Sequence, residues 1–226
     1  MIRCVLFDLD GTLVDTAPEI ADAINDTLRR LKRPPVPEAL ARSWIGDGTR
    51  ATLGRALAHA GLPEHELPRV WPLFQRDYLD RCGTRSEVYP QVQDTLKRLA
   101  AMGVPMGLLT NKEAQFAHRV LVRHGLSEFF DVMVTGDTLP ERKPDPAVVR
   151  HALGALGVDA EDALLVGDSA IDVRTARAAG ITIWAVRYGY ASEPLTGELQ
   201  PDRVVDRFEE ITEFAGAFAD ERVSIA

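Results

Sequence analysis

The chain has 226 residues, of which 46 % are hydrophobic and 27 % are charged, a composition that is ordinary for a soluble globular protein. Its length allows one large α/β domain or a domain that carries a smaller inserted one. The formal net charge of -8 argues against non-specific binding to nucleic acid or to an anionic membrane, because both need a basic face on the protein.

The cysteines and the N-terminal residues indicate the compartment. Cys4 and Cys82 do not make a disulfide framework, and their neighbours show no metal-ligand spacing. No basic region precedes a long apolar run at the N-terminus, and no apolar stretch approaches the length of a membrane span. We therefore expect a cytoplasmic protein, a monomer or homodimer, without nucleic-acid or membrane partners.

The first predicted element is a buried strand at residues 4–7, because a parallel strand that is covered on both faces needs no polar alternation. An acidic pair, Asp8 and Asp10, follows it directly. Side chains alternate along an extended strand, so these two carboxylates point the same way and repel each other unless a cation or a shared proton lies between them. Gly11 allows the backbone to approach a ligand closely, and Thr12 offers a hydroxyl and an amide to an anion.

Residues 16–84 are predicted to be helical, with no convincing strand. Thr16 and Glu19 have the spacing of a capping box, and apolar residues at steps of three and four extend this first helix to about residue 32. Further helices are predicted over residues 37–44, before Gly61 and over residues 68–81. A simple α/β sheet would alternate strands with helices, so this segment is predicted to be an inserted helical subdomain.

The alternation of helices and strands resumes after residue 90. Helices are predicted over residues 92–103, 114–124 and 146–157, and strands over residues 104–109, 132–134, 163–166 and 182–186. An edge strand at residues 204–205, a C-terminal helix and an acidic tail complete the chain. The predicted fold is α/β: a Rossmann-like, three-layer parallel-sheet core formed by residues 1–15 and 85–226.

Polar residues follow the predicted strands at their carboxyl ends. They are Asp8 and Asp10, Thr110, Lys143 in a turn-rich loop, and Asp168. In a parallel sheet these strand ends lie along one edge, so the side chains are expected to converge in one crevice. Three carboxylates, a hydroxyl and an ammonium group suit the binding of Mg²⁺ together with a phosphoryl group.

Four motifs, in their order along the chain, resemble those of the haloacid dehalogenase superfamily. They are Asp8-x-Asp10-Gly11-Thr12-Leu13-x-Asp15, Thr110-Asn111, Lys143-Pro144 and Gly167-Asp168-Ser169-x-x-Asp172. The helical insert resembles the C1 cap of that superfamily. Within it, the sequence is most similar to bacterial phosphoglycolate phosphatases, at Trp44-Ile45-Gly46-x-Gly48, Gly136-Asp137-Thr138-Leu139-Pro140 and Tyr188-Gly189-Tyr190. One departure is Tyr89-Pro90-Gln91, where relatives often have Pro-Gly.

The resemblance implies a phosphatase that hydrolyses a small phosphorylated metabolite with Mg²⁺ as its cofactor. Asp8 would be the nucleophile that attacks phosphorus and becomes an aspartyl phosphate. Asp10 would protonate the leaving alkoxide and later take a proton from the hydrolytic water. Thr110 and Lys143 would bind the oxygens of the transferring group, and Lys143 would offset the crowding of carboxylates.

The resemblance also implies a metal site and a substrate site. Mg²⁺ would be held by Asp8, the backbone carbonyl of Asp10 and Asp168, with Asp172 either binding the ion or supporting its ligands. The implied substrate-binding residues of the core are Gly11, Thr12 and Asn111. In the cap, residues 46–51 fit the pattern G-x-G-x-x-A, but no strand precedes them, so dinucleotide binding is rejected. We expect this loop to face the crevice, with Gly46 beside the substrate and Arg50 on a substrate carboxylate.

Other functions fit part of this pattern. A sugar-phosphate phosphatase or a β-phosphoglucomutase-like enzyme would share the motifs and differ in substrate. A dehalogenase is disfavoured, because Asp10 supplies the acid that an alkoxide leaving group requires. A response-regulator receiver also holds an aspartyl phosphate near Thr and Lys, but its phosphoacceptor precedes both, whereas Asp168 follows both here. The leading prediction is the hydrolysis of 2-phosphoglycolate to glycolate and phosphate.

Overall fold

The computed structural model describes residues 2–191 and 194–215. The strands are β1 (Cys4–Phe7), β2 (Val14–Asp15), β3 (Glu87–Val88), β4 (Met106–Leu109), β5 (Val132–Val134), β6 (Ala163–Gly167), β7 (Thr182–Val186) and β8 (Arg203–Val205). The α-helices are α1 (Ala17–Arg30), α2 (Glu38–Arg42), α3 (Thr49–His59), α4 (Leu67–Arg81), α5 (Val92–Ala101), α6 (Ala114–Arg123), α7 (Ala147–Leu156) and α8 (Ala170–Ala179). Short 3₁₀ segments lie at Glu64–Glu66, Ser127–Phe129, Ala160–Asp162, Gly197–Leu199 and Phe208–Ala215.

A six-stranded sheet in the order β5-β4-β1-β6-β7-β8 forms the middle layer. All neighbouring strands in it are parallel, and β1 lies in the interior, with Leu6 opposite Gly107 on β4 and Leu165 on β6. Every residue of β1 is buried, as its unbroken apolar sequence predicts for a strand covered on both faces. The predicted Rossmann-like α/β core is confirmed.

The two faces of the sheet are covered by different helices. Alternate residues of β1 point to opposite faces, so Val5 and Phe7 pack into one hydrophobic cluster while Cys4 and Leu6 pack into the other. The first cluster includes buried residues of α5 and α6, and the second includes buried residues of α7 and α8. This arrangement is the predicted three-layer architecture.

The helices α1 to α4 lie between β2 and β3, which pair as a short antiparallel ladder with Val14 opposite Val88. Each helix ends within a few residues of its predicted end, and α1, α2 and α4 begin close to their predicted starts. The β2–β3 pair was not predicted, because two residues are too few to show the alternation of a strand. The domain boundary at residues 16–84 stays a prediction, and the two strands lie just outside it.

The predicted capping box at the start of α1 is wrong. Thr16 occupies the cap position but forms no side-chain cap hydrogen bond within the described part of the chain, and its hydroxyl donates to Asp10 instead. Glu19 is fully buried and accepts hydrogen bonds from the amides of Gly83 and Ser86, at 2.7 and 3.2 Å. Both side chains therefore serve contacts between segments that are distant in sequence.

The C-terminal region matches its prediction in part. The edge strand is present as β8, but the helix expected after it is a 3₁₀ segment at Phe208–Ala215. The predicted acidic tail lies outside the described residues. Within residues 2–191 and 194–215, no helix combines the length and the apolar composition that crossing a membrane requires.

Candidate active site

A crevice lies at the carboxyl edge of the sheet, between the core on one side and α1, α3 and the loop before α3 on the other. Asp8 follows β1 at the point where the chain order of the sheet reverses, with β4 on one side and β6 on the other. Open α/β sheets bind ligands at such points. The residues that line the crevice are Asp8, Asp10, Ile20, Ile45, Gly46, Gly48, Thr49, Thr52, Thr110, Asn111, Lys112, Asp168, Ser169 and Tyr190.

Asp8 and Lys143 form a buried ion pair at the floor of the crevice. The ammonium nitrogen Nζ of Lys143 lies 3.0 Å from Oδ1 of Asp8 and 2.7 Å from Oδ1 of Asp172. Burial raises the pKa of Asp8 to about 6; Lys143 opposes this shift, and the charges of Asp172 and Asp10 add to it. Lys143 therefore holds together carboxylates that would otherwise repel one another.

Asp168 is fixed at both carboxylate oxygens. Oδ1 accepts a hydrogen bond from the hydroxyl of Thr12 at 3.0 Å, and Oδ2 accepts one from the amide of Tyr190 at 2.6 Å. Gly189 allows this close approach, because a Cβ atom at that position would collide with the Asp168 side chain. Burial, together with the charges of Asp172 and Asp8, raises the pKa of Asp168 well above its usual range.

The carboxylates of Asp8, Asp168 and Asp172 form a group that could hold a metal ion. One oxygen from each lies within 4.8 Å of the others, and all three residues are buried. A hard cation with oxygen ligands, such as Mg²⁺, suits this set and would offset the burial and the mutual repulsion that raise the pKa values of Asp8 and Asp168. Among the described residues, the Asp10 side chain is not part of this group, and the expected contact through the Asp10 backbone carbonyl stays a prediction.

Asp172 has little free capacity for a ligand. Its Oδ2 accepts hydrogen bonds from the amides of Asp168 and Ser169 and from the Ser169 hydroxyl, in a capping box at the start of α8. Its Oδ1 accepts one from Lys143. The geometry therefore favours a supporting role, in which Asp172 positions Lys143 and the loop that carries Asp168.

Asp10 is paired with Lys112, which was not among the predicted site residues. Nζ of Lys112 lies 2.7 Å from Oδ1 and 2.8 Å from Oδ2 of Asp10, and the hydroxyl of Thr16 also donates to Oδ1. Lys112 is buried, which by itself lowers its pKa, but Asp10, together with Cys82 and Glu19, outweighs burial and the pKa of Lys112 is raised. Lys112 and Asp10 are 102 positions apart in the sequence, so no local pattern pairs them.

Two predicted substrate-binding residues of the core are engaged within the protein. The side-chain amide of Asn111 donates to the carbonyls of Gly46 and Lys143, at 3.1 and 3.0 Å, and its oxygen accepts from the amide of Lys143 at 2.9 Å. The hydroxyl of Thr12 donates to Asp168 and its amide donates to the Leu9 carbonyl. In this structure these residues hold the site together. The Thr12 hydroxyl and amide were expected to be free to bind an anion, but both donate to groups of the protein.

Gly11 packs directly against Asp168, where a Cβ atom would collide with the carboxylate, and its φ of 85° lies in the left-handed region. Its expected contact with substrate stays a prediction. Thr110 is buried, lines the crevice, and accepts a hydrogen bond from the Lys112 amide at 3.3 Å.

The cap loop faces the crevice, but Arg50 does not. Gly46 lines the crevice and its carbonyl is bound by Asn111. Arg50 is exposed, and its guanidinium lies 5.6 Å from the ring centre of Trp71, a cation–π distance. Arg50 lies in the first turn of α3, where Thr49 and Thr52 occupy the buried side, so the Arg50 side chain is directed away from the crevice. The expected contact between Arg50 and a substrate carboxylate is not formed in this structure.

Tyr190 connects the site to the start of α1, a role that was not predicted. Its hydroxyl accepts hydrogen bonds from the amides of Thr16 and Ala17, at 2.7 and 3.0 Å, and donates to Asp15 at 2.6 Å. Its own amide binds Asp168. One residue therefore ties the loop after β7 to both the acidic cluster and the start of α1.

Comparison with known proteins agrees with this geometry. Residues 5–186 match the haloacid dehalogenase-like hydrolase family. The chain is 41 % identical over 222 residues to phosphoglycolate phosphatase 1 of Pseudomonas aeruginosa, covering 96 % of this chain and 81 % of the relative. It is similar to the crystal structure of a predicted phosphoglycolate phosphatase from Haemophilus somnus 129PT, with a TM-score of 0.87, 32 % identity, and 95 % and 98 % of the two chains covered.

It also resembles CbbY from Rhodobacter sphaeroides, whose structure was solved in complex with phosphate. The TM-score is 0.77 at 26 % identity, and the match covers 93 % of this chain and 96 % of that one.

Proposed function

Since this chain belongs to the haloacid dehalogenase-like hydrolase family, we propose that it hydrolyses 2-phosphoglycolate to glycolate and inorganic phosphate. The observation that carries the proposal is the buried cluster at the end of β1, where Asp8 lies 3.0 Å from Lys143 and beside Asp168. The name of the Pseudomonas aeruginosa relative supports the choice of substrate. The position of the cap loop favours a small substrate, because Asn111 of the core donates to the Gly46 carbonyl across the crevice at 3.1 Å and so keeps the crevice narrow.

In the first step, a carboxylate oxygen of Asp8 attacks phosphorus, and the bond from phosphorus to the glycolate oxygen breaks with its electron pair going to that oxygen. The carboxylic acid form of Asp10 gives its proton to the leaving oxygen, which yields glycolate and an aspartyl phosphate on Asp8. Lys143 and Thr110 donate to the oxygens of the transferring group, where negative charge develops.

In the second step, Asp10, now a carboxylate, takes a proton from a water molecule as that water attacks phosphorus. The bond between phosphorus and the Asp8 oxygen breaks, which releases inorganic phosphate and restores the Asp8 carboxylate. Asp10 is protonated again at the end, so it is ready to serve as the acid in the next turnover. Proton transfer by a placed group of this kind commonly contributes about 10²- to 10⁴-fold in rate.

Mg²⁺ is the proposed cofactor, held by Asp8, Asp168 and the backbone carbonyl of Asp10, with Asp172 supporting these ligands. When bound, it would neutralise charge on the phosphoryl oxygens and on the carboxylate cluster. The raised pKa values of Asp8 and Asp168 support this assignment, because burial and neighbouring carboxylates disfavour their charged forms and a bound cation would offset both effects.

The test is phosphate release from a panel of phosphate esters with and without Mg²⁺. We expect repeated turnover of 2-phosphoglycolate at a higher kcat/KM than for sugar phosphates, and loss of turnover after chelation with EDTA. A higher kcat/KM for a sugar phosphate would reassign the substrate. Release of one phosphate per chain and no more would indicate a signalling module rather than an enzyme.

A further inference from the structure

Lys112 is buried in the wall of the crevice and has no role in the steps described so far. Its side chain is 0 % exposed. The ammonium nitrogen contacts both oxygens of Asp10, at 2.7 and 2.8 Å, and lies 5.1 Å from the ring centre of Tyr78 on α4. Lys112 thus extends from the end of β4 in the core to the helical insert and meets the proton carrier between them.

These contacts fix the orientation of Asp10. A carboxylate on a short side chain can rotate about its terminal bond, but here Lys112 binds both oxygens and Thr16 binds one of them. Proton transfer requires the donor and acceptor atoms to be within hydrogen-bond reach in a fixed geometry. We propose that Lys112 is a positioning residue that holds the Asp10 carboxylate in place for proton transfer and does not itself bind the substrate.

The use of its donors supports this assignment over direct substrate binding. An ammonium group has three hydrogens, and Lys112 directs hydrogen bonds to both Asp10 oxygens while the Tyr78 ring packs beside it. Lys143, in contrast, bonds Asp8 directly and is the cation placed for the transferring group. The inference rests on the proposed phosphatase function, because it assigns a partner to the proton carrier of that reaction.

Substrates with different leaving groups distinguish the positioning of Asp10 from direct substrate binding by Lys112. An alkoxide such as glycolate or ethoxide needs a proton from Asp10, whereas p-nitrophenolate leaves without one. The value of kcat/KM reports the steps up to the transfer of the phosphoryl group to Asp8. We expect Lys112→Met to lower kcat/KM at least tenfold for 2-phosphoglycolate and for ethyl phosphate, and less than threefold for p-nitrophenyl phosphate.

Ethyl phosphate is included because it lacks a carboxylate. A loss confined to 2-phosphoglycolate would mean that Lys112 binds the substrate carboxylate, and an equal loss on all three esters would mean that it binds the phosphoryl group. Either result overturns the proposal. Lys97→Met is the matched control, because Lys97 is an exposed lysine on α5, with a side chain that is 57 % exposed, and its kcat/KM values should equal those of the wild type.

A stability cycle tests the pairing without reference to activity. Removing one member of a buried ion pair leaves an unpaired charge, so Lys112→Met and Asp10→Asn should each lower Tm. The decrease in Tm of the double variant should be smaller than the sum of the two single decreases. Additive losses would contradict the pairing. If Lys112→Met does not fold, Lys112→Gln takes its place in both experiments, and folding of the Lys112→Met, Asp10→Asn double variant would support the pairing.

Failure of the inference and failure of the proposed function look different. Wild-type protein that hydrolyses none of the three esters contradicts the proposed function. If the wild-type protein hydrolyses them, and the loss in kcat/KM of Lys112→Met does not depend on the leaving group, only the role of Lys112 is contradicted.

Discussion

At the scale of single residues, the site depends on how charge is balanced around Asp8. Its carboxylate is buried near those of Asp168 and Asp172, and Lys143 is the cation that contacts it. A nucleophile must be ionised to attack, yet burial raises its pKa to about 6. The position of Lys143 between Asp8 and Asp172 limits this rise, so each residue of the cluster depends on the others.

Asp8→Asn is expected to abolish turnover while leaving the fold intact, because an amide cannot form the aspartyl phosphate. The loss in kcat should be at least about a thousandfold, as for other covalent nucleophiles. Phosphate release by purified protein measures it, with circular dichroism to check the fold. Asp94→Asn on α5 is the control, because the Asp94 side chain is 80 % exposed. Substantial turnover by Asp8→Asn would remove Asp8 from the role of nucleophile.

Lys143→Met is expected to reduce stability in a pH-dependent way. The substitution leaves Asp8 and Asp172 without their cation, and breaking a buried ion pair costs about 3–5 kcal/mol. The pKa of Asp8 is already raised to about 6, so its protonation below that pH removes the unpaired charge. The free energy of unfolding should therefore fall more at pH 8 than at pH 5.

Urea unfolding of metal-free protein at the two pH values measures this difference, and Lys97→Met serves as the control for loss of a lysine. An equal loss of stability at pH 5 and pH 8 would show that the effect comes from packing rather than charge.

At the scale of elements, the junction between β2 and α1 illustrates why local patterns can mislead. The spacing of Thr16 and Glu19 matches a capping box, but both side chains have partners elsewhere: Asp10 for Thr16, and the amides of Gly83 and Ser86 for Glu19. The amides at the start of α1 are bound by Tyr190. The helix starts where the pattern predicts, but its first amides find their hydrogen-bond acceptor in Tyr190, which is far away in the sequence.

Tyr190→Phe is expected to loosen this junction. The Thr16 amide donates to this hydroxyl, whereas the Ala17 amide also donates to Asp15, at 3.2 Å. Leaving one buried donor without a partner costs about 1–3 kcal/mol. Hydrogen exchange at residues 16–17 should accelerate, and the free energy of unfolding should fall by that amount.

Tyr188→Phe is the matched control for this experiment. It removes a tyrosine hydroxyl that donates to the Thr12 carbonyl at 2.9 Å, so hydrogen exchange at residues 16–17 should keep the wild-type rate. Unchanged hydrogen exchange at residues 16–17 in Tyr190→Phe would show that this hydroxyl does not hold the start of α1.

At the scale of the whole molecule, the acidic cluster links metal binding to folding. Asp8 lies after β1 and Asp168 after β6, so the cluster joins two strands of the sheet that are distant in sequence. An ion that binds only the folded arrangement stabilises the entire fold. Crowded carboxylates oppose folding when they are ionised, and they are therefore the groups that gain most from a cation.

Mg²⁺ is expected to raise Tm in a pH-dependent way. At a hundredfold excess over Kd the stabilisation is about 2.7 kcal/mol, which corresponds to roughly 5–10 °C for a chain of this size. Protons compete with the ion for Asp8, whose pKa is raised to about 6, so the gain should be large at pH 8 and small at pH 5. Differential scanning calorimetry measures both.

Asp168→Asn should lose this Mg²⁺-dependent gain, and Asp94→Asn should keep it. A gain of equal size at both pH values, or one that survives in Asp168→Asn, would place the ion elsewhere in the molecule.

The sequence by itself determined the parallel sheet, the helical insert and the positions of Asp8, Asp10, Thr110, Lys143 and Asp168 at the carboxyl edge. Apolar periodicity and strand ends are local properties, so they can be recognised without knowing what packs against them. The order of the motifs was also sufficient to indicate the family.

Only the tertiary structure decided which side chains meet across the crevice. Tyr190 and Thr16 are 174 positions apart, and Lys112 and Asp10 are 102 apart, so no local pattern records these contacts. Arg50 was expected to face the substrate because of its charge and loop, but its place on α3 directs it to Trp71. Such contacts depend on how the insert and the core pack together, since that packing sets which polar groups lose water and must find partners.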